Sequence, residues 1–218
     1  MLVAALIATA ACAGRPPAGG APAPALSADS AAALEVLFHA RRDSARQRFT
    51  EADVRFMTDM IAHHAQALVM AGLVPTHGAS ASVQILGARI SNAQRDEIAL
   101  MQRWLRDRGQ PVPDVRITGT TLVVSGAEHA THAPGMLSEA QLADLDGARG
   151  AAFDRLFLTY MIQHHRGAVA MVRELLGTDG SAQGAAMFKL ASEVQVDQAT
   201  EIARMERILA ALSVPAAP

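Results

Sequence analysis

The chain has 218 residues, 50% of them apolar and 18% charged, enough to bury a sizeable core in one domain or two small ones. Aromatics make up only 4%, while Ala, Leu and Met abound, a mix that favours helices over sheets. Lys and Arg number 19 against 21 Asp and Glu, a net charge of −2, so no field of one sign exists to bind nucleic acid. The single cysteine excludes an intramolecular disulfide framework and Cys-based zinc sites.

In chain order, residues 1–12 read as a leader. Leu2–Ala11 is apolar apart from Thr9. It is too short to span a bilayer as a mature helix, which needs about 20 residues, and suits the apolar stretch of a secretory signal. Cys12 follows Ala10-Ala11 directly. That placement resembles the lipobox of bacterial lipoproteins, with Thr9 where Leu is usual, and makes Cys12 the candidate lipidation site. A plain signal peptide cleaved near Ala11 or Ala13 is the alternative. Residues 13–29 hold Pro16, Pro17, Pro22 and Pro24 and read as an extended tether. Membrane contact is expected only through that anchor, and the protein is expected in the cell envelope.

Residues 30–213 are expected to form one helical domain. Ser30–Phe49 predicts an extra N-terminal helix. Thr50-Glu51-Ala52-Asp53 is a capping signal that opens a second helix to about Val74. Pro75 to Gly78 breaks it, and a third helix runs from about Ser80 to Arg108. The linker, residues 109–137, lacks helical period, and Val115–Val124 is expected to be extended. Ser138-Glu139-Ala140-Gln141 is a capping box that starts a helix interrupted at Gly147 and Gly150. Ala151–Leu176 forms the next helix, and a last one runs from about Ser181 to Leu212.

The two halves repeat. Phe56–Ala71 aligns with Phe157–Val172 at an offset of 101, with identities at His63/His164, His64/His165, Met60/Met161 and Met70/Met171 among others. Gln94–Leu105 aligns with Gln198–Leu209 at an offset of 104, matching Gln94/Gln198, Glu97/Glu201 and Met101/Met205. Repeat one spans 50–108 and repeat two 138–213. Each is a helix pair, M-I-x-H-H-x5-M followed by Q-x-x-E-I-x-x-M. Two such hairpins joined by a long connection predict an all-α four-helix bundle with approximate two-fold symmetry.

At helical spacing Met60, His63, His64, Ala67 and Met70 share one face. Gln94, Glu97, Met101 and Trp104 share another with Ile90, so that stripe is the buried one. A buried carboxylate is costly without a partner, and the adjacent helix offers histidine. Glu97, Glu201, Gln94 and Gln198 are therefore expected to support the imidazoles, fixing their tautomers. Thioether and imidazole together suit copper, as Cu(I) or Cu(II), better than hard cations. The candidate ligands are His63, His64, Met60, Met70 and Met101, with His164, His165, Met161, Met171 and Met205 in the second half. No Glu-x-x-His occurs, which disfavours a di-iron oxidase site. In the linker, His129, His132 and Met136 form a possible capture site. Binding is expected to weaken as pH falls through about 6.5, where a free imidazole protonates.

The doubled M-I-x-H-H-x5-M with its downstream Q-x-x-E-I-x-x-M resembles the bacterial family called "domain of unknown function 305", over about residues 50–212. Phe153-Asp154-Arg155-Leu156-Phe157-Leu158 is similar to the second half of its members. The resemblance implies a ferritin-like bundle, export, and an association with copper binding and tolerance. Where the second half has Arg166-Gly167-Ala168, the first reads Ala65-Gln66-Ala67.

The leading expectation is an exported, non-enzymatic protein holding copper for sequestration or tolerance, with no catalytic residue. A ferritin-like redox metalloenzyme and a metal-free helical interaction module are the alternatives. No nucleophile elbow, P-loop or dinucleotide fingerprint is present.

Overall fold

In a computed structural model of the chain, residues 27–46, 48–126 and 133–212 are described. Cys12, the leader and all but the end of the tether lie outside them, as do His129 and His132 of the linker. Contacts divide the chain into a unit of residues 1–40 and a unit of residues 41–218. The described part of the first belongs to helix α1 (Ala28–Arg46), on which Leu34, Val36, Leu37 and Phe38 are exposed.

The first helix lying wholly in the second unit is α2 (Glu51–Leu73). Thr50 caps it: its hydroxyl accepts from the Asp53 amide, and the Asp53 carboxylate accepts from the Thr50 amide at 2.9 Å. This reciprocal pair satisfies two of the orphan donors of a helix start. Pro75, which cannot continue the hydrogen-bond ladder, ends α2 in a 3-10 turn at Val74–Thr76. Helix α3 (Ala81–Arg106) returns beside α2. After the linker, α4 (Glu139–Gly147) starts at the Ser138–Gln141 capping box. Then α5 (Gly150–Gly177) and α6 (Ala185–Leu212) form a second pair. The dominant helix contacts pair α2 with α3, α5 with α6, and α2 with α5.

The chain is mostly helical but not all-α. Residues Val115–Val124, expected to be a single extended stretch, fold into an antiparallel hairpin of β1 (Asp114–Thr118) and β2 (Thr121–Ser125). Thr118 pairs with Thr121, leaving Gly119-Thr120 as a two-residue turn. Gly119 has φ +60°, the positive value that the first central residue of a type II′ turn requires. Val115 and Leu122 pack against the helical core and Val124 against Ala62, so the hairpin covers part of α2.

The core divides into two clusters that meet around the α2–α5 crossing. One contains Met57, Met60, Ile61, Met101, Trp104 and Met171. The other contains Met70, Leu86, Ile90, Phe153, Phe157, Met161 and Met205. Each fully buried Phe or Leu contributes about 1.5–3 kcal/mol by leaving water. Two buried carboxylates tie one hairpin to the other at opposite ends. Asp53 of α2 accepts the Ala182 amide of the α5–α6 turn at 2.7 Å. Asp154 of α5, its counterpart in the repeat, accepts the Ser80 amide of the α2–α3 turn at 3.2 Å. Asp154→Ala leaves that part-buried amide without its acceptor, and urea unfolding should show a loss of about 1–3 kcal/mol.

Candidate metal centre

Helices α2 and α5 bring four imidazoles into the middle of the molecule, all at most 1% exposed. His63 and His164 lie across the crossing with ring centroids 3.8 Å apart and planes inclined by 37°. His64 and His165 flank them, at 6.4 Å from His63 and 6.1 Å from His164. Each ring uses Nε2 as a donor. His64 donates to Glu97 Oε2 at 2.6 Å and His165 to Glu201 Oε2 at 2.7 Å. His63 donates to the Pro134 carbonyl and His164 to the His63 carbonyl, both at 2.9 Å. The sequence-expected partnership of the two Glu residues with His is thus present in both halves.

Engaging Nε2–H leaves the lone pair of Nδ1 as the second valence of each neutral ring. In all four histidines Nδ1 is buried without a hydrogen-bond partner, and so is the side-chain oxygen of Gln94 and of Gln198. Buried polar atoms are otherwise almost always satisfied. Burial, followed by the nearby His64, lowers the pKa of His63 to about 3, although the Pro134 bond opposes this. Burial and then His63, His165 and His64 lower that of His164 well below its ordinary value. Both rings therefore present lone pairs at neutral pH, and the expected loss of ligand character at about pH 6.5 does not apply to them. Among the described residues, no group of three or more His, Cys, Asp or Glu stands ready to hold a metal ion.

The six motif methionines are all buried, but they do not sort by half. Met60 and Met101 share their cluster with Met171 of the second repeat, whereas Met161 and Met205 share theirs with Met70 of the first. The crossing of α2 and α5 causes this exchange: Met60 and Met70 lie on opposite sides of the histidines along α2. The repeat groups Met60, Met70 and Met101 in one half, whereas apolar packing sets Met60 and Met101 in one cluster and Met70 in the other. Trp104 lies in the Met60 cluster with Arg108 over its ring at 4.1 Å. Met136 is half-buried in the linker, its amide bonded to the Ala133 carbonyl, and it belongs to neither cluster.

Sequence reasoning missed how the linker closes over the centre. Gln66 is buried, donates to the Leu137 carbonyl at 3.0 Å and accepts from the Leu137 amide at 2.7 Å. At the equivalent place on α5, Gly167 lets Pro134-Gly135 pass so closely that a Cβ would lie 1.8 Å from the Pro134 oxygen. The departure of Ala65-Gln66-Ala67 from Arg166-Gly167-Ala168 is the signal that could have revealed it, since only one linker exists to be held by two halves. Asp197 was also missed. Burial and then Glu97, Glu201 and Glu193 raise its carboxyl above the usual range, placing a third acid near the two histidine partners. His77, without a sequence-assigned role, is buried and donates to the Asp146 carbonyl at 3.0 Å.

Paired hairpins, buried histidines backed by carboxylates and clustered methionines define a mostly helical protein with a soft-donor interior. Residues 53–209 match the family described as "Domain of unknown function (DUF305)", and the chain belongs to that family. Among solved structures, a DUF305 fragment from Deinococcus radiodurans is 33% identical with a TM-score of 0.61, over 74% of this chain and 97% of that one. A putative secreted DUF305 protein from Streptomyces coelicolor is 26% identical with a TM-score of 0.63, over 75% and 93%. CopM in its Cu(II)-bound form is 26% identical with a TM-score of 0.56, over 72% and 95%. No curated protein matches the chain. No described helix is long and apolar enough to cross a membrane.

Proposed function

We propose that this is an exported copper-binding protein, a ferritin-like four-helix bundle of two hairpins whose interior holds copper for sequestration rather than turnover. The observation that carries the reading is the set of four buried Nδ1 atoms without partners. Each belongs to a ring whose other nitrogen is already fixed by a carboxylate or carbonyl, the arrangement that orients a histidine ligand. Thioether sulfur from the two methionine clusters supplies the soft donors that Cu(I) prefers. The likeness to CopM, a copper-bound protein at 26% identity, supports copper over other metals. Glu97, Glu201, Gln94 and Gln198 act behind the ligands rather than as ligands. Export rests on the apolar leader, with Cys12 as its lipid anchor, and Cys12→Ser should release the protein from the membrane fraction.

Calorimetric titration of untagged protein with Cu(I) under reducing conditions and Cu(II) under oxidising ones tests the reading. Binding tighter than about 10 µM, roughly 7 kcal/mol, is expected, with quenching of Trp104. The His63→Ala/His64→Ala double variant should lose most of the first-half contribution, including the quenching of Trp104. Met60→Leu, which keeps the core volume, should weaken Cu(I) more than Cu(II) if the histidine variant fails to fold. Absence of binding in both oxidation states would identify the histidines as a buried hydrogen-bond network in a metal-free helical module.

A further inference from the structure

All the proposed donors are buried, so a cation needs a way in; the following rests on the copper-binding reading. Of the six motif methionines, only Met171 keeps any exposed surface, 7% against 0% for the others. Met171 lines an open cavity of about 400 Å³ beside α2 and α5, with Pro134 of the linker on its wall. The same cavity carries three carboxylates, Glu51, Asp59 and Glu174, against a single cation, Arg55. Met171 belongs to the same buried cluster as Met60 and Met101.

The repeat provides its own comparison. At the offset of 101, Met171 answers to Met70, while Glu51, Asp59 and Glu174 answer to Ala152, Tyr160 and Leu73. Leu73 is buried in the cluster that holds Met70, and Tyr160 packs against it. One copy of the methionine is therefore ringed by carboxylates at an open cavity, and the other is sealed by apolar and aromatic side chains. A solvated surface carboxylate would explain any one of these acids, but not their coincidence with the one motif methionine that keeps exposed surface.

We infer that this cavity is the port through which a soft monovalent cation reaches the centre. The carboxylates concentrate the cation without holding it, because hard oxygen is a poor ligand for Cu(I). The Met171 sulfur receives it, and the Met60/Met101/Met171 cluster fills before the Met70/Met161/Met205 cluster.

Stopped-flow loading of the full chain with Ag⁺, a redox-inert probe for Cu(I), tests this through its rate. Glu51→Gln/Glu174→Gln removes two exposed charges. It should slow association about tenfold at low ionic strength. The difference should vanish at high salt, and the equilibrium affinity should change less than about twofold. Glu139→Gln/Asp144→Asn, likewise exposed but outside the cavity lining, should load at the wild-type rate. With 13C-labelled methionine methyls, Met60, Met101 and Met171 should shift first after mixing. Unchanged rates in Glu51→Gln/Glu174→Gln with binding intact, or slowing only in Asp197→Asn, would overturn the port while leaving the copper-binding reading standing. Failure of the wild type to bind Ag⁺ and Cu(I) at all would overturn both.

Discussion

Acidification of the metal-free protein is expected to lower its stability by roughly 1.4 kcal/mol per pH unit for His63 alone, beginning near pH 6.5. Unfolded, the ring titrates near 6.5; folded, at about 3. Between those values the unfolded state binds a proton that the native state refuses, so the free energy of unfolding falls as pH falls. Above pH 6.5 neither state is protonated and the group contributes nothing. Below about 3 both are protonated and the loss is complete. His164 is displaced in the same direction and steepens the slope. Carboxylates begin to titrate below about pH 5, so the diagnostic window is pH 6.5 to 5. Urea midpoints measured across that window should fall steadily, and His63→Gln should flatten the curve. A flat wild-type profile there would mean that the native protein accepts protons at the crossing. The same displacement carries into metal binding: protons compete for His63 and His164 only in strong acid.

Much of the centre was legible because the chain states it twice. His64 with Glu97 and His165 with Glu201 follow from helical spacing on two adjacent helices, and each pairing corroborates the other. Helix starts at Thr50 and Ser138 were readable from local chemistry, since a capping box is complete within four residues. What could not be read depends on contacts distant in sequence. Met70 and Met171 change clusters because α2 and α5 cross at the histidines, and a helical face does not reveal which neighbour covers its far end. The β-hairpin was reduced to an extended stretch because its turn rests on one glycine, Gly119, inside a run of β-branched residues. Asp53 reads as a capping residue and Asp154 only as part of the Phe153–Leu158 stretch, whereas each holds a turn of the opposite hairpin. Asp197 has Ala93 at its repeat position, so the symmetry that exposed the histidines concealed it.

Gly167→Ala is expected to destabilise the protein by about 3 kcal/mol, against the direction that helix propensity dictates. In the interior of a helix, alanine is better than glycine by about 1 kcal/mol. Gly72 on α2 shows that ordinary case: nothing lies within 4 Å of a Cβ there, and Gly72→Ala should gain about 0.5 kcal/mol. At Gly167 the new methyl would meet the Pro134 oxygen at 1.8 Å, the Pro134 carbonyl carbon at 2.4 Å and Gly135 Cα at 2.7 Å. All three atoms are backbone, so no rotamer change relieves the overlap. Gly135 cannot yield easily either, with φ +79° and its own Cβ position 2.7 Å from the Gln163 carbonyl oxygen. The linker must lift, and Pro134 then withdraws the carbonyl that accepts from His63 Nε2. A buried imidazole N–H loses its only acceptor, at a cost of about 1–3 kcal/mol, and the tautomer that leaves Nδ1 free is no longer enforced. Urea unfolding of the two alanine variants side by side measures the contrast. Metal titration of Gly167→Ala should show weaker binding even though no proposed ligand has changed. A Gly167→Ala variant as stable as Gly72→Ala would mean that the linker does not close over His63.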